Sequence, residues 1–316
     1  MSWVIPMFTV RPYTPSDVEA WDSAVERSRN GNFLHRRRYM DYHADRFIDQ
    51  SLVIERDGEV EAVFPANQRD NDIVSHGGLT YAGLIATSAL RAESTLSVFQ
   101  ALGDHYRALG IERIVYKAVP HVFHRLPAEE DLYALHRLGA KLKRRDISSV
   151  ISLQEPFQFN ECRRRSIKKA RNAGVRVQTA NDVHAFHALL TEALRKHDVA
   201  PTHSLQELLL LQERFPQNIV MHEARVGDAL HAGTLVYDFG KVVHTQYLAS
   251  SEEGRNSGAL SFLLSELINN TYADRQYFSF GISSEDEGHQ LNSGLIAQKE
   301  SFGARAVTHD HYEWVL

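Results

Sequence analysis

The order of structural signals between residues 51 and 153 recurs between residues 219 and 316, and this recurrence limits what the chain can fold into. In the first stretch, residues 51–55 and 60–65 read as strands around the turn Arg56-Asp57-Gly58-Glu59. A helix follows over 90–109, with Leu96, Phe99, Leu102, Tyr106 and Leu109 near helical period and Gly110 as its stop. Residues 114–119 read as a buried strand, 132–138 as a helix stopped by Gly139, and 147–153 as a closing strand. In the second stretch, strands are expected over 219–225, 229–237 and 242–248, a helix over 258–272, a strand over 277–282, a helix over 295–302 stopped by Gly303, and a strand over 307–315. Landmarks recur with the order. Glu55-Arg56-Asp57-Gly58 answers Ala224-Arg225-Val226-Gly227, Ser75-His76 answers Val243-His244, and Leu138-Gly139-Ala140 answers Phe302-Gly303-Ala304. Offsets of roughly 165–170 residues suit two domain-sized copies, expected over 1–155 and 156–316 of the 316 residues.

Helices also precede each copy. Val18, Trp21, Ala24 and Val25 sit at helical spacing behind Ser16 and Asp17, Asn30-Gly31 breaks that helix, and a short one is expected over 37–47. Before the second copy lies a basic helix, then a helix capped by Asn181-Asp182 with Val183, Phe186, Leu189, Leu190 and Leu194 on one face. A last one covers 205–215 and stops at Pro216. The result is an α/β (α+β layered) chain, with mixed sheets flanked by helices.

Composition removes several classes of function. A net charge of −5 and a pI near 6.4 argue against a globally basic nucleic-acid binder, and DNA is not an expected partner. The single Cys162 can form no internal disulfide and no cysteine-rich zinc site, which fits a reducing compartment. No apolar run approaches the ~20 residues of a membrane helix, and the first ten residues lack a basic leader, so a cytoplasmic location without membrane insertion is expected. His121-x-x-His124 and His184-x-x-His187 lack the frame of a metal site, and among 17 histidines such spacings arise by chance, so no metal is expected.

The element order resembles that of a GNAT acyltransferase domain, and two such lobes in one chain resemble the FemAB-like proteins. Three stretches carry the second likeness: Arg165-Ser166-Ile167-Lys168-Lys169-Ala170-Arg171-Asn172-Ala173-Gly174-Val175, Phe280-Gly281-Ile282-Ser283-Ser284-Glu285, and Leu291-Asn292-Ser293-Gly294-Leu295 with Lys299-Glu300-Ser301-Phe302-Gly303-Ala304-Arg305. The resemblance implies transfer of an acyl or aminoacyl group onto an amine, from acyl-CoA or, as in the peptidoglycan-bridge enzymes, from aminoacyl-tRNA. Acyl-CoA is the expected donor here. The acceptor would be a small or nucleotide-linked amine, such as an amino sugar or cell-envelope precursor, entering between the lobes. Aminoacyl-tRNA is the alternative donor, and a catalytically inactive double-GNAT binding module is the rival reading.

The donor loop of the GNAT family corresponds to Arg255, Asn256, Ser257, Gly258 and Ala259, with Leu260 where the family carries a small residue. Small residues at a helix start let backbone N–H groups approach a pyrophosphate. Ser257 reads equally as the cap of an ordinary helix. The first lobe has no counterpart to this loop near residues 82–92. Alternation on the strand places His244 and Gln246 on one face and Tyr247 on the other. His244 is the candidate general base, though it reads equally as a half-exposed strand histidine; Tyr247 is a candidate acid. Glu285, in the loop after a strand, is a candidate base or amine ligand, and reads as well as part of a solvated acidic loop. Gln246 is a candidate substrate ligand beside His244, and Asn292 and Lys299 are candidate substrate ligands on the family resemblance. Of the basic run, Arg164, Lys168 and Arg171 share one helical face and Arg165 and Lys169 another, so Arg165, Lys168 and Lys169 are candidate phosphate ligands.

Overall fold

The turn at Asp57-Gly58 adopts left-handed φ at both residues (55° and 82°), the geometry that joins strands through two residues with the twist a sheet requires. It connects β3 (Leu52–Arg56) to β4 (Glu59–Phe64). The computed structural model describes residues 8–180, 183–196 and 198–316, so the expected cap Asn181-Asp182 lies outside the described residues. The chain divides into two units. One runs up to Asp146 and includes Asp286–His289 and Thr308–Leu316; the other comprises Ile147–Glu285 and Gln290–Val307.

In the first unit the remaining elements are β1 (Thr9–Pro12), α1 (Val18–Arg27), α2 (Arg37–Met40), β2 (Ile48–Asp49), β5 (Asn67–Arg69), β6 (Asp72–Val74), β7 (Ile85–Ala86), α3 (Ala92–Ala108), β8 (Arg113–Lys117) and α4 (Glu130–Arg137). β9 (Lys141–Ser152) leads on into the second unit. β1, β3, β4 and β7 form an antiparallel sheet. β8 lies between the parallel β6 and the antiparallel end of β17 (Arg305–Val315). The core gathers the inward residues of these strands (Leu52, Ile54, Phe64, Tyr116, Trp314) against Phe99, Leu102 and Tyr106 of α3. The helix expected over 90–109 and its stop at Gly110, with φ of 76°, are present. The strands β1, β2, β5, β6 and β7 are too short to leave a period in the sequence.

The second unit contains α5 (Glu161–Asn172), β10 (Arg176–Ala180), α6 (Val183–Arg195), α7 (Leu205–Arg214), β11 (Ile219–Val226), β12 (Ala229–Asp238), β13 (Val242–Ser250), α8 (Glu252–Ser257), α9 (Ala259–Glu266), β14 (Tyr277–Ile282), the hairpin β15 (Ser284–Glu285) and β16 (Gln290–Leu291), and α10 (Ser293–Glu300). Its sheet runs β10-β11-β12-β13-β14-β9, antiparallel except for the β13/β14 pair. Val236, Val243 and Phe278 meet Phe262, Leu263 and Leu267 in the core beneath it.

The two copies share their element order, but one expected landmark shifts. β6 pairs with β8 as Asp72↔Arg113 through Val74↔Val115, just as β13 pairs with β14 as Val242↔Tyr277 through His244↔Ser279. In register, Val74 therefore stands where His244 stands, and His76 falls two residues beyond, in a turn with φ of 50°. A strand is read by its pairing, and a two-residue offset is invisible to a count along the chain.

Candidate active site

The site begins where two parallel strands part. β13 and β14 are paired for three residues only, Val242, Val243 and His244 against Tyr277, Phe278 and Ser279. β13 then runs on to Ser250 without that neighbour. Each strand carries a bulge at the parting. On β13, Leu235 faces Tyr247 and Val236 faces Thr245, so Gln246 is the extra residue. On β14, Ser279 faces Val150 and Ile282 faces Ser148, and the bulge contains Gly281 with φ of 74°. Parted strands expose backbone N–H groups that a continuous ladder would have used.

Two sequence candidates converge on Gly281. A Cβ added there would lie 3.1 Å from Cε1 and 3.8 Å from Nε2 of His244, so the imidazole covers the glycine. The other ring nitrogen, Nδ1, lies 3.1 Å from the Ser279 hydroxyl, which orients the ring. From the far end of α10, the Lys299 ammonium donates to the carbonyls of Gly281 (2.9 Å) and Ile282 (2.6 Å). Lys299 is 5 % exposed, and burial pushes its pKa down to about 8. At neutral pH it is a largely charged group held under the bulge.

Gln246 and Tyr247 correct the alternation expected of this strand. The bulge brings the two side chains within hydrogen-bonding reach of each other instead of placing them on opposite faces. The Tyr247 hydroxyl lies 2.6 Å from Nδ1 of His203 and accepts the His203 N–H at 3.3 Å, and burial raises the Tyr247 pKa. His203, which sits just before α7, carries no sequence signal: only the fold brings it to Tyr247.

Glu285 and Asn292 meet each other. Asn292 Nδ2 donates to the Glu285 carboxylate at 2.7 Å, while its Oδ1 accepts the Leu295 N–H as the cap of α10. Both close the β15/β16 hairpin, and Glu285 is exposed.

The expected donor loop is helical. The helix predicted from 258 is present as α9, which starts at Ala259 behind Gly258, and the separate short helix α8, capped by Ser251, occupies the expected loop before it. Ser251 Oγ accepts the Gly254 N–H, Ser251 O accepts that of Arg255, and Gly254 O accepts that of Gly258. The Glu253 carboxylate turns back onto its own N–H and the Ser251 hydroxyl, which hold its pKa below the usual range. Two glutamates thus stand at the helix start where a bound pyrophosphate would need open N–H groups. Arg255 and Asn256 are exposed, Ala259 is buried, and Arg255 donates to Ser250 O at 2.9 Å.

The glycines of this segment serve packing. Gly258 takes φ of 80° between α8 and α9, and a Cβ there would lie 2.6 Å from the Ser166 carbonyl of α5. At Gly254 a Cβ would fall 1.8 Å from the His231 carbonyl oxygen of β12. Backbone on both sides leaves nothing flexible to yield. Gly254→Ala is therefore expected to cost about 3 kcal/mol or more, the upper range for overpacking. Denaturant unfolding checks it; a loss under about 0.5 kcal/mol, the scale of a tolerated surface change, would mean that α8 is free to move off β12.

The basic run on α5 divides as its spacing predicts. Arg164, Lys168 and Arg171 line a hollow of about 630 Å³ with Phe157, Phe159 and Asn269, while Arg165 and Lys169 line another of about 420 Å³ with Glu161 and Cys162. Arg165 is paired with Glu161. Arg163 turns inward, to the hydroxyls of Ser301 (2.6 Å) and Ser261 (2.9 Å). Among the described residues, no group of three or more side chains is placed to hold a metal ion, and no helix is long and apolar enough to cross a membrane.

Residues 159–289 match the acetyltransferase (GNAT) domain family. No curated protein matches the sequence. Among solved structures, FemX superposes with a TM-score of 0.70 at 13% identity, over 98% of this chain and 97% of its own. L-PGS from Bacillus licheniformis gives 0.63 at 11% identity, over 96% and 93%. A tandem GNAT protein from the clavulanic acid biosynthesis pathway gives 0.53 at 13%, over 97% and 98%. Residues 159–289 thus match a GNAT domain, and the chain as a whole has the fold of FemX and of that tandem GNAT protein.

Proposed function

We propose that the protein is an N-acyltransferase whose reacting carbonyl sits in the parting of β13 and β14. The observation that carries this reading is the convergence of His244 and Lys299 on Gly281 at that parting. His244 would take the proton of the attacking amine as general base. The N–H groups freed at the Gln246 bulge would face the carbonyl oxygen as it gains negative charge, and the Lys299 cation would favour the same charge through the bulge it holds. The leaving thiol or hydroxyl would take a proton from the Tyr247–His203 pair. The acceptor, by analogy with the family, is a small or nucleotide-linked amine such as an amino sugar or cell-envelope precursor.

For the donor, acyl-CoA is the reading that the GNAT family supports. A second reading, an aminoacyl-tRNA donor, is favoured by one specific feature: Glu252 and Glu253, with the capped N–H groups behind them, oppose a pyrophosphate at α8.

Calorimetry with acetyl-CoA, followed by transfer assays with both donors and a panel of amines, tests these readings. Gly258→Glu is a poor probe, because α5 backbone already fills that space; Asn256→Glu on the exposed side of α8 is a cleaner one. Micromolar binding of acetyl-CoA that this variant abolishes would establish the CoA reading. Silence with acetyl-CoA and consumption of aminoacyl-tRNA would establish the second. If neither donor is consumed with any amine, the transferase reading fails.

A further inference from the structure

A tyrosine hydroxyl carries one proton and two lone pairs, so its neighbours decide where that proton points. Beside the Tyr247 hydroxyl, one neighbour is fixed in its role and another is not. The His203 backbone N–H can only donate, and it does so at 3.3 Å. Nδ1 of the same residue lies 2.6 Å away and can donate or accept. Bare, Nδ1 accepts the phenol proton and turns it into the ring. Protonated, it donates, fills the second lone pair and leaves the phenol proton to point elsewhere. Thr202 and Gln246 also reach the hydroxyl, and as neutral groups that donate and accept they suit either arrangement.

The main chain anchors His203 on both sides. It stands just before Ser204, the cap of α7, whose hydroxyl accepts the Glu207 N–H (3.2 Å) while the Glu207 carboxylate accepts the Ser204 N–H (2.7 Å). The His203 carbonyl accepts from Nε2 of His187, on α6, at 3.3 Å. The ring is buried and meets Tyr247 edge-on, at 5.8 Å and 85°. Apart from Tyr247 itself, the titratable groups that face the pair are His187 of α6 and Glu207 of α7. A histidine–tyrosine contact is not by itself functional. His222 Nε2 and the Tyr272 hydroxyl make one at 2.8 Å, and both residues are buried. Tyr247, by contrast, is half-buried and follows the bulge at Gln246, where β13 leaves β14.

We propose, resting on the transfer reading above, that His203 is a positioning residue that aims the Tyr247 proton. With Nδ1 protonated the phenol proton is open to the leaving group; with Nδ1 bare it is withdrawn into the ring. In the step itself, the C–N bond forms and the C–S or C–O bond of the donor breaks. The departing sulfur or oxygen takes the Tyr247 proton, and the phenolate, held by the His203 N–H and Nδ1–H, is reprotonated from solvent. The need for that proton depends on the donor. A thiol, with a pKa of about 8.5, departs readily as its anion. The alcohol of an aminoacyl ester is a far weaker acid and needs the proton in full. His203 therefore matters most with an ester donor.

Two measurements on the full chain test this assignment. One is the pH profile of kcat with acetyl-CoA and with aminoacyl-tRNA, for wild type, Tyr247→Phe, His203→Asp and His203→Asn. The other needs no substrate: ultraviolet titration of tyrosinate, with the Tyr247→Phe spectrum subtracted to isolate one of 12 tyrosines. An ionised aspartate can only accept. His203→Asp should therefore lower kcat with the ester by about 10²–10⁴, as Tyr247→Phe does, which is the contribution of a positioned acid, and should raise the pH at which Tyr247 ionises. Asparagine does not titrate and can donate. His203→Asn should recover most of that loss and abolish the fall in kcat that the wild type shows as the ring deprotonates. Burial raises the pKa of Tyr247, which keeps its own ionisation clear of that limb. In the Tyr247→Phe background, neither His203 substitution should lower kcat further. If circular dichroism shows His203→Asp unfolded, the asparagine profile decides. Equal losses for Asp and Asn, an alkaline limb that survives in Asn, or a Tyr247 titration that no His203 variant moves would overturn the assignment and leave the transfer reading standing. A wild type that consumes neither donor would overturn both.

Discussion

His244→Ala is expected to lower kcat for acyl transfer by about 10²–10⁴, the usual contribution of a positioned general base, with little change in the KM of the donor. The amine acceptor arrives as ammonium near neutral pH and must lose a proton before or during attack. His244 is placed for that transfer: Ser279 orients one ring nitrogen and the other lies over Gly281, where the strands part. Without the imidazole, only acceptor already deprotonated in solution reacts. The variant's rate should therefore climb about tenfold per pH unit up to the amine's own pKa, as simple mass action on the free base requires, whereas the wild type should flatten earlier. A role in packing predicts something else. A cavity left on β13 would lower stability and activity together, without changing the shape of the pH profile. His244→Gln fills the space but cannot accept the proton in the same way, so it should behave like alanine. If the glutamine variant keeps near wild-type turnover, or if both variants keep the wild-type profile, His244 is not the base.

The sequence shows the frame of this site better than its detail. Strands β11 to β14 have apolar periods, and Gly227, Gly240 and Gly303, all with left-handed φ, mark stops along the second unit, so the order of its elements can be read directly. The FemAB-like stretches locate Lys299 and Gly281, and the fold brings them together. Alternation failed at Gln246, because a bulge adds one residue without any compositional mark, and every side chain beyond it changes sides. The donor loop was read from its glycines alone. Glycines at 254 and 258 look like room for a phosphate, but they are room for the His231 carbonyl and for α5. A glycine in sequence signals close approach of something, and only coordinates show whether that is ligand or backbone. His203 was missed because its partner Tyr247 lies 44 residues away and neither position belongs to a local pattern.

Stability should rise continuously from pH 5 to pH 9, with a steep loss on the acid side. His35 (0 % exposed), His76 (6 %) and His222 (3 %) are buried as neutral rings, and loss of hydration pushes their pKa values down to about 4, 3 and 4. His76 is held lower still by His43 and Lys117. Below the unfolded value of about 6.5, the unfolded chain takes up protons that the folded chain refuses, so folding weakens by up to 1.36 kcal/mol per pH unit for each ring. His311 is pushed down to about 4 by the same loss of hydration, so between pH 6.5 and 5 this is about 2 kcal/mol each, or about 6 kcal/mol in the first unit and about 2 in the second. Asp131 opposes it. Burial raises its pKa to about 6, so its ionised form is a cost above pH 6 that acid removes, worth about 1 kcal/mol at pH 5. The remainder is still a large part of the 5–15 kcal/mol that holds a domain folded. On the alkaline side, Lys117 and Lys299 are buried with pKa values near 7 and 8, below the unfolded value, so raising the pH removes the cost of charging them. Thermal melts at pH 5, 7 and 9 should show the midpoint falling by roughly 5–15 °C from 7 to 5, at 2–4 °C per kcal/mol for domains of this size, and rising further at 9. His76→Gln should flatten the acid limb by about one quarter of its slope, since it removes one of four titrating rings. A midpoint that is level between pH 5 and 7, or highest at pH 5, would mean that the buried rings are protonated in the folded protein and that unseen partners accept those protons.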